Sequence, residues 1–427
     1  MRTDGGIWAL VLALFIAAGA NAQTTAALTR EQVQVAVDSG EVTNPAAGRA
    51  VVYSTQVRVA DATWLQLVFD EVTLGWGAAG GRAVLRLTSL ADSAYQTHTA
   101  ATLTQWQKRS AYFNGDAVRV EIIAPAHATA SHLRLSVVWA GPSSGGIAAS
   151  ICGPTDDRVS SFDGRTSRAV PAGCTAWLIN DAANCMLTAG HCAGSPSFQT
   201  IQFNVPPSDD NGNIQHPGPE DQYAVDVTST QSVWGALGND WGYFGCFPNT
   251  ETGLTPGEAQ GIFYTLAATV PPVSGQDIRI TGYGQDSTPP ASNYVQQTHA
   301  APYVAFSGTI VSYVTDTQGG SSGSAVVDDS TGLAIGIHTG GGCNAGGGAN
   351  IGTGINNSGL QDALGTPQGI CLPSCPWDLD GTGDVGINDF LALLAAWGQV
   401  DVPADFDGGG VRVTDFLELL ANWGPCP

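Results

Sequence analysis

Hydrophobic positions take three different spacings in turn along this chain. Residues 7–20 form one apolar run between Arg2 and the small triplet Ala20-Asn21-Ala22. A basic start, a short apolar core and a small-x-small cleavage point describe a secretory leader over residues 1–22, with a mature start near Gln23. The run is too short to span a bilayer comfortably, and no later stretch qualifies. Further on, residues 64–69, 83–88, 117–123 and 133–139 alternate or run apolar, with turn residues such as Asn114-Gly115-Asp116 between them. That pattern predicts the strands of one β-sandwich over residues 23–145. Gly141-Pro142-Ser143-Ser144-Gly145-Gly146 reads as a linker. Residues 146–370 hold most of the cysteines. In residues 371–427 the period lengthens: Phe-x-x-Leu-Leu-x-x-Trp occurs twice, at 390–397 and 416–423, giving an i, i+3, i+4, i+7 helical face each time.

Composition narrows the field. Charged residues are only 12% of the chain and glycines number 55, which favours strands and turns over helices. The net charge of −22 would repel nucleic acid and anionic lipid, so those partners are set aside. Export makes the nine cysteines candidates for disulfides, and an odd count leaves one over.

Three motifs in the middle segment carry chemistry. They are Leu187-Thr188-Ala189-Gly190-His191-Cys192, then Gly238-Asn239-Asp240-Trp241-Gly242-Tyr243, then Gly319-Gly320-Ser321-Ser322-Gly323-Ser324. Each alone is modest evidence. Together they give His, Asp and Ser in the chain order of one serine-hydrolase architecture.

With these motifs in place, the segment resembles the trypsin-like serine peptidases, and among them the bacterial glutamyl and lysyl endopeptidases. The resemblance covers about half the chain. It implies a double six-stranded β-barrel, so the whole chain is expected to be mainly β: sandwich, barrels and a small helical C-terminal module. It implies Ser322 as nucleophile, His191 as base, Asp240 as the group orienting the imidazole, and the N–H groups of Gly320 and Ser322 as an oxyanion hole. Asp226, in Tyr223-Ala224-Val225-Asp226, is a rival aspartate without the Trp-Gly-Tyr flank. Ser321 stands where the animal enzymes hold an aspartate that pairs with a new N-terminus, so any maturation should work by removing or unmasking the segment before about residue 146. Asp316, six before Ser322, and His338 are substrate-binding candidates. The first would suit a basic side chain and the second an acidic one, and the sequence leaves that choice open. The resemblance also implies disulfides Cys174–Cys192 and Cys152–Cys343, which leaves Cys185 for Cys246.

The C-terminal repeat has its own chemistry. Asp378, Asp380 and Thr382 occupy positions 1, 3 and 5 of a loop with Gly383 at 6, the Asp384 carbonyl at 7 and Asp389 at 12, the spacing of a calcium loop. The second loop, 405–415, is one residue shorter and has Gly409 at position 5, so weaker binding is expected. The pair resembles a dockerin module, which implies Ca2+ and a cohesin-like or cell-surface partner. Cys375 and Cys426 bracket it and are expected to close it, with Cys371 as the odd thiol. The expected function is a secreted or surface-associated serine endopeptidase needing no catalytic cofactor. The competing expectation is a catalytically inactive trypsin-like adhesion or scaffold protein.

Overall fold

The computed structural model describes residues 21–22, 26–78, 80–142, 149–373, 375–380, 382–400 and 402–426. Nearly all of the expected leader, and the core of the Gly/Ser linker, lie outside the described residues. No helix among the described residues is long and apolar enough to cross a membrane. The chain is mainly β, as expected.

The first unit is a sandwich. One sheet pairs Glu31–Asp38, Ala128–Ala140, Trp64–Thr73 and Phe113–Asn114, with Val42–Asn44 added on Ala128–Ala140; the other orders Ala50–Arg58, Ala117–Ala124, Val84–Ser89 and Tyr95–His98. Alternation explains the core. Leu65, Leu67 and Phe69 from one sheet meet Leu85, Leu87, Val118, Val120 and Ile122 from the other, all buried. The four strands legible in the sequence all form. Strands Glu31–Asp38 and Ala50–Arg58 add to these four, the first alternating at the half-buried Val33, Val35 and Val37.

The second unit is a pair of closed six-stranded barrels. The first joins Thr166–Pro171, Cys174–Leu178, Met186–Thr188, Asp240–Cys246, Gln222–Trp234 and Phe198–Gln202. The second joins Asp277–Gly282, Gln297–Ser307, Ile310–Tyr313, Asn350–Gly354, Ala334–Gly341 and Ala325–Asp328. The short strand Asn21–Ala22 pairs with Gly340 and Gly341 at the end of Ala334–Gly341.

The sandwich is bonded to the first barrel. Tyr112 and Gln222 exchange two hydrogen bonds at 2.9 and 2.8 Å. Asn114 and the His216 backbone exchange two more at 2.9 and 2.8 Å. Leu28, Trp64, Tyr112 and Val170 form a shared apolar cluster. Beneath it Arg168 is fully buried, donating to Gln202, Tyr294 O and Gln215 O at 2.7–3.1 Å. Burial pushes this guanidinium down to about 10.

The third unit holds helices Ile387–Ala395 and Val413–Ala421 around Val385, Leu393, Ala404, Val411 and Leu419. Cys375–Cys426 closes it.

Candidate active site

His191 lies in the single helical turn Gly190–Ala193 that follows strand Met186–Thr188. The turn fits because residue 190 is glycine: a Cβ there would sit 1.9 Å from Val233 O. Strand Asp240–Cys246 pairs with Met186–Thr188, which brings its first residue to the histidine. Asp240 grips His191 twice. One carboxylate oxygen accepts the His191 backbone N–H at 2.9 Å, and the other lies 2.6 Å from Nδ1. An N–H at Nδ1 donating to that carboxylate leaves Nε2 as the outward acceptor. The second barrel steadies the pair, because the Asp240 N–H donates to Thr353 Oγ1 at 3.1 Å.

Ser322 sits in a loop whose carbonyls are pinned one by one. Gly319 O accepts from Gln285 N–H at 2.7 Å, Ser321 O from Ser324 N–H at 3.0 Å, and Ser322 O from Thr175 N–H at 2.8 Å. Gly320 O accepts from Thr175 Oγ1, and Gly323 O from Trp177 Nε1, each at 2.9 Å. In a trans peptide the C=O of one residue and the N–H of the next point opposite ways. Pinning the Gly319 and Ser321 carbonyls therefore turns the Gly320 and Ser322 N–H groups away from the protein. Among the described residues neither donates a hydrogen bond. Gly320 has φ +105°, and a Cβ on it would meet Tyr283 O at 2.4 Å, so the turn requires glycine.

Among the buried polar atoms with no hydrogen-bond partner among the described residues are His191 Nε2 and Ser322 Oγ. Cys192 Sγ, next to the histidine, lies 3.8 Å from Ser322 O, so the two residues are close neighbours. Buried polar groups are rarely left unpaired. A nucleophile and base awaiting substrate form one such exception, their hydrogen bond being often loose without substrate.

The two substrate-binding candidates part company. Asp316 is fully buried. Its carboxylate accepts the N–H groups of Cys152 and Asp157 at 2.7 and 2.9 Å, and His299 Nδ1 lies 3.5 Å away. The carboxylate is thus committed to the 152–157 backbone and does not face an open pocket. His338 stays with the site. Its backbone N–H donates to Ser324 O, and its carbonyl accepts from Gly323, both at 2.8 Å. Tyr313 OH lies 2.7 Å from Nδ1. Burial, with the neighbouring His191, pushes the His338 imidazole down to about 3, so it is neutral.

Two cysteine assignments need correction. Cys185 bonds Cys371, not Cys246, and the free thiol is the buried Cys246, not Cys371. The reason is strand alternation. A Cβ on Gly245 would lie 2.9 Å from Cys371 Sγ and 3.1 Å from Cys185 Sγ, so that bridge packs on the Gly245 side of the strand. Cys246, one residue on, points to the other side. Burial, and then Asp226, push its thiol well above the ordinary range, which makes it inert. Asp226 itself holds the turn at Ile370 N–H, 2.9 Å, and is not part of the site. Cys174–Cys192 and Cys152–Cys343 are bridged.

The first acidic loop gathers ligand atoms of Asp378, Asp380 and Asp389 within 4.8 Å of one another. Thr382 Oγ1 donates to Asp380 at 2.7 Å and lies 3.4 Å from the Asp384 carbonyl. That hydroxyl holds the Asp380 carboxyl below its usual range. The second loop gathers Asp405, Asp407 and Asp415 in the same way. Besides its shorter length and Gly409, it differs at the helix cap. Gly386 caps the helix of the first repeat, while Arg412 caps that of the second. The Arg412 guanidinium reaches back to Asp407 and Gly409 O, both at 3.0 Å. The short loop thus carries a cation of its own.

One neighbour went unnoticed in the sequence. The Trp234 ring lies 6.3 Å from the His191 ring and is 71% exposed. With Val233 and Leu237 it forms an apolar hairpin beside the histidine. The signal was there, in three apolar residues crowded into a Gly- and Asn-bearing turn just before Asp240.

The profile of the family described as Trypsin-like peptidase domain matches residues 174–337. Among solved structures, a Glu endopeptidase in complex with MPD is 20% identical at TM-score 0.38, over 49% of this chain and 96% of that one. A thermostable serine protease AL20 from an extremophilic microorganism is 17% identical at TM-score 0.35, over 47% and 93%. Human heparin binding protein is 16% identical at TM-score 0.35, over 50% and 98%. A search of curated proteins finds no match.

Proposed function

We propose that this chain is a serine endopeptidase that cuts after acidic residues, is secreted, and carries a calcium-binding C-terminal module for attachment. The trypsin-like peptidase domain supports peptide hydrolysis. The observation that carries the residue roles is the pairing of Asp240 with both the backbone and Nδ1 of His191, which leaves Nε2 without a partner among the described residues, as Ser322 Oγ also is. In this reading His191 takes the Ser322 proton as Oγ attacks the scissile carbonyl, and Asp240 stabilises the imidazolium. The N–H groups of Gly320 and Ser322 receive the developing oxyanion, which is worth about 3–4 kcal/mol of barrier. His191 then protonates the leaving amine, and water releases the acyl group by the reverse route.

The acidic preference rests on the two candidates that parted company. Asp316 has both oxygens engaged by backbone donors and offers no free charge to Lys or Arg. His338, neutral and joined to Tyr313, offers a polarised imidazole that a substrate carboxylate would draw into the charged form. Trp234 and Val233 would cover an apolar neighbour of the cleaved residue.

In the module, Asp378, Asp380, Thr382, Asp389 and the Asp384 carbonyl are the hard oxygen donors that calcium takes. The ion would relieve repulsion among the carboxylates and fix the helix orientation. The exposed Leu391, Trp397, Leu417 and Trp423 suit a cohesin-like or surface partner. A peptide library digested by the full chain tests the enzymatic reading. Cuts after Glu or Asp are expected; cuts after Lys or Arg would overturn the preference, and no cuts would overturn the activity.

A further inference from the structure

The oxyanion donors depend on a hydrogen bond from outside their own loop. Gly320 N–H is aimed by its peptide partner Gly319 O, and that carbonyl is held by Gln285 N–H at 2.7 Å. What holds residue 285 is therefore part of the chemistry.

A strap formed by residues 149–160 supplies the answer. It is fastened at four points. Ala149–Ser150 pairs with Thr317–Gln318, and Cys152 is bonded to Cys343. The Asp316 carboxylate accepts the N–H groups of Cys152 and Asp157. Val159–Ser160 pairs with Gln297–Thr298 of the second barrel. Between the last two fastenings stands Arg158. Its side chain is only 3% exposed, although the strap around it is at the surface. Nη2 donates to Gln285 O at 3.3 Å and lies 3.4 Å from an oxygen of the buried Asp286. Asp156 closes the other edge of the guanidinium at 2.6–3.2 Å. Nη1 is buried and without a partner among the described residues. It points at the catalytic loop: a Cβ on Gly284 would lie 2.6 Å from Nη1 and 3.0 Å from Ser321 Oγ.

Burying a guanidinium costs several kcal/mol unless its surroundings use it. Here it sits against the Gln285–Asp286 backbone and behind the residue before the nucleophile. We propose that Arg158 is the positioning residue for the oxyanion donors: it fixes Gln285, Gln285 fixes the Gly319 carbonyl, and that peptide aims the Gly320 N–H. The inference rests on the peptidase reading above. It gives the strap a task that needs no chain cleavage, because the cation is internal, and it gives Asp316 one too, as the anchor that keeps Arg158 in place.

The test uses the full chain with Arg158→Gln, Arg158→Lys and Asp286→Asn. Kinetics on a chromogenic peptide and affinity for the matching peptide boronate would be read together. Losing an oxyanion donor outright costs about 10²- to 10³-fold in kcat, so a misaimed one should cost about 10- to 100-fold. Arg158→Gln should show that loss in kcat with KM within about twofold, and boronate affinity should fall in step with kcat/KM. Arg158→Lys should recover part of it. Should Arg158→Gln not fold, the Lys and Asp286→Asn variants must show the same selective fall in kcat. A kcat unchanged in the folded variants, or a rise in KM alone, would overturn the proposal. Hydrogen exchange in residues 283–286 and 318–324 decides independently of turnover. It should quicken in Arg158→Gln while residues 222–234 stay unchanged, and equal exchange would overturn the role. A wild-type chain that cuts nothing would sink the peptidase reading, and the exchange result would still judge Arg158.

Discussion

The nucleophile loop, residues 319–323, and the first acidic loop, residues 378–389, are both short, glycine-bearing and crowded with oxygen. They solve opposite problems. In the first, the carbonyls of residues 319 to 323 all have donors, Ser322 is buried, and among the described residues the Ser322 hydroxyl and the N–H groups of Gly320 and Ser322 have no partner. Its backbone is held by hydrogen bonds from the surrounding protein. In the second, three carboxylates stand within 4.8 Å of one another, Asp380 exposed, Asp378 half-buried and Asp389 buried. Loop N–H groups hold them, with Gly383 donating to Asp378 at 2.8 Å and Gly386 to Asp389 at 2.7 Å. That arrangement retains like-charge repulsion which a cation would relieve. One loop is organised by the protein around it, the other by N–H groups of its own backbone.

The largest predicted effect separates the two. Ser322→Ala should lower peptide hydrolysis by about 10⁴-fold or more, while circular dichroism and the calcium response of the tail stay as in the wild type. Ser321→Ala should keep substantial activity. A reversed pair of results would mean that the neighbouring serine is the nucleophile.

How much of this contrast the sequence reveals depends on where each constraint comes from. His191, Asp240 and Ser322 are legible because short local motifs carry them. The acidic loop is legible because its donors lie within twelve consecutive positions. The partner of Cys185 is not, since it depends on a turn at 369–371 folding back across Gly245. Asp316 misleads for a related reason: its spacing from Ser322 suggests a pocket, but its environment is set by the strap 152–157, distant in sequence. Strands Glu31–Asp38 and Ala50–Arg58 pair with Ala128–Ala140 and Ala117–Ala124, partners distant in sequence.

A second way to sharpen the contrast is specificity. His338→Gln should lower kcat/KM for a Glu-containing peptide about 10- to 100-fold, as expected when a buried hydrogen-bonding group is lost. A Gln-containing peptide should be cut at nearly the wild-type rate, so the ratio of the two rates is the measurement.

Acid should act on the β units through their buried histidines. Burial pushes His98 down to about 3, and His216 well below its usual value, with Arg168 adding to it. Below about pH 6.5 the unfolded chain takes up protons that these folded imidazoles refuse, so stability is full above that pH and falls as the pH drops towards 3. His98 alone should contribute a few kcal/mol to the fall, roughly 1.4 per pKa unit. Denaturant unfolding from pH 7 to 4 should show a shallower loss in His98→Gln.

The smallest effect belongs to the tail. Calcium titrated into the full chain, followed as the part of the tryptophan fluorescence that is lost on replacing Trp397 and Trp423 by Phe, should give one binding step. Asp378→Ala should remove most of it. Asp405→Ala should matter less, because Arg412 already supplies a cation to the second loop. Two equal steps, or none up to millimolar calcium, would contradict the assignment, and hydrolysis should be the same with and without the ion.

The central claim is that Ser322 is activated by His191 as Asp240 holds it. An organophosphonate serine probe with a Glu-like side chain, followed by mass spectrometry of the labelled peptide, tests it most directly. The account predicts one adduct per chain on Ser322, absent in Ser322→Ala and strongly slowed in His191→Ala and Asp240→Asn. A folded chain that takes no label, or takes it equally well with His191 replaced, would contradict it.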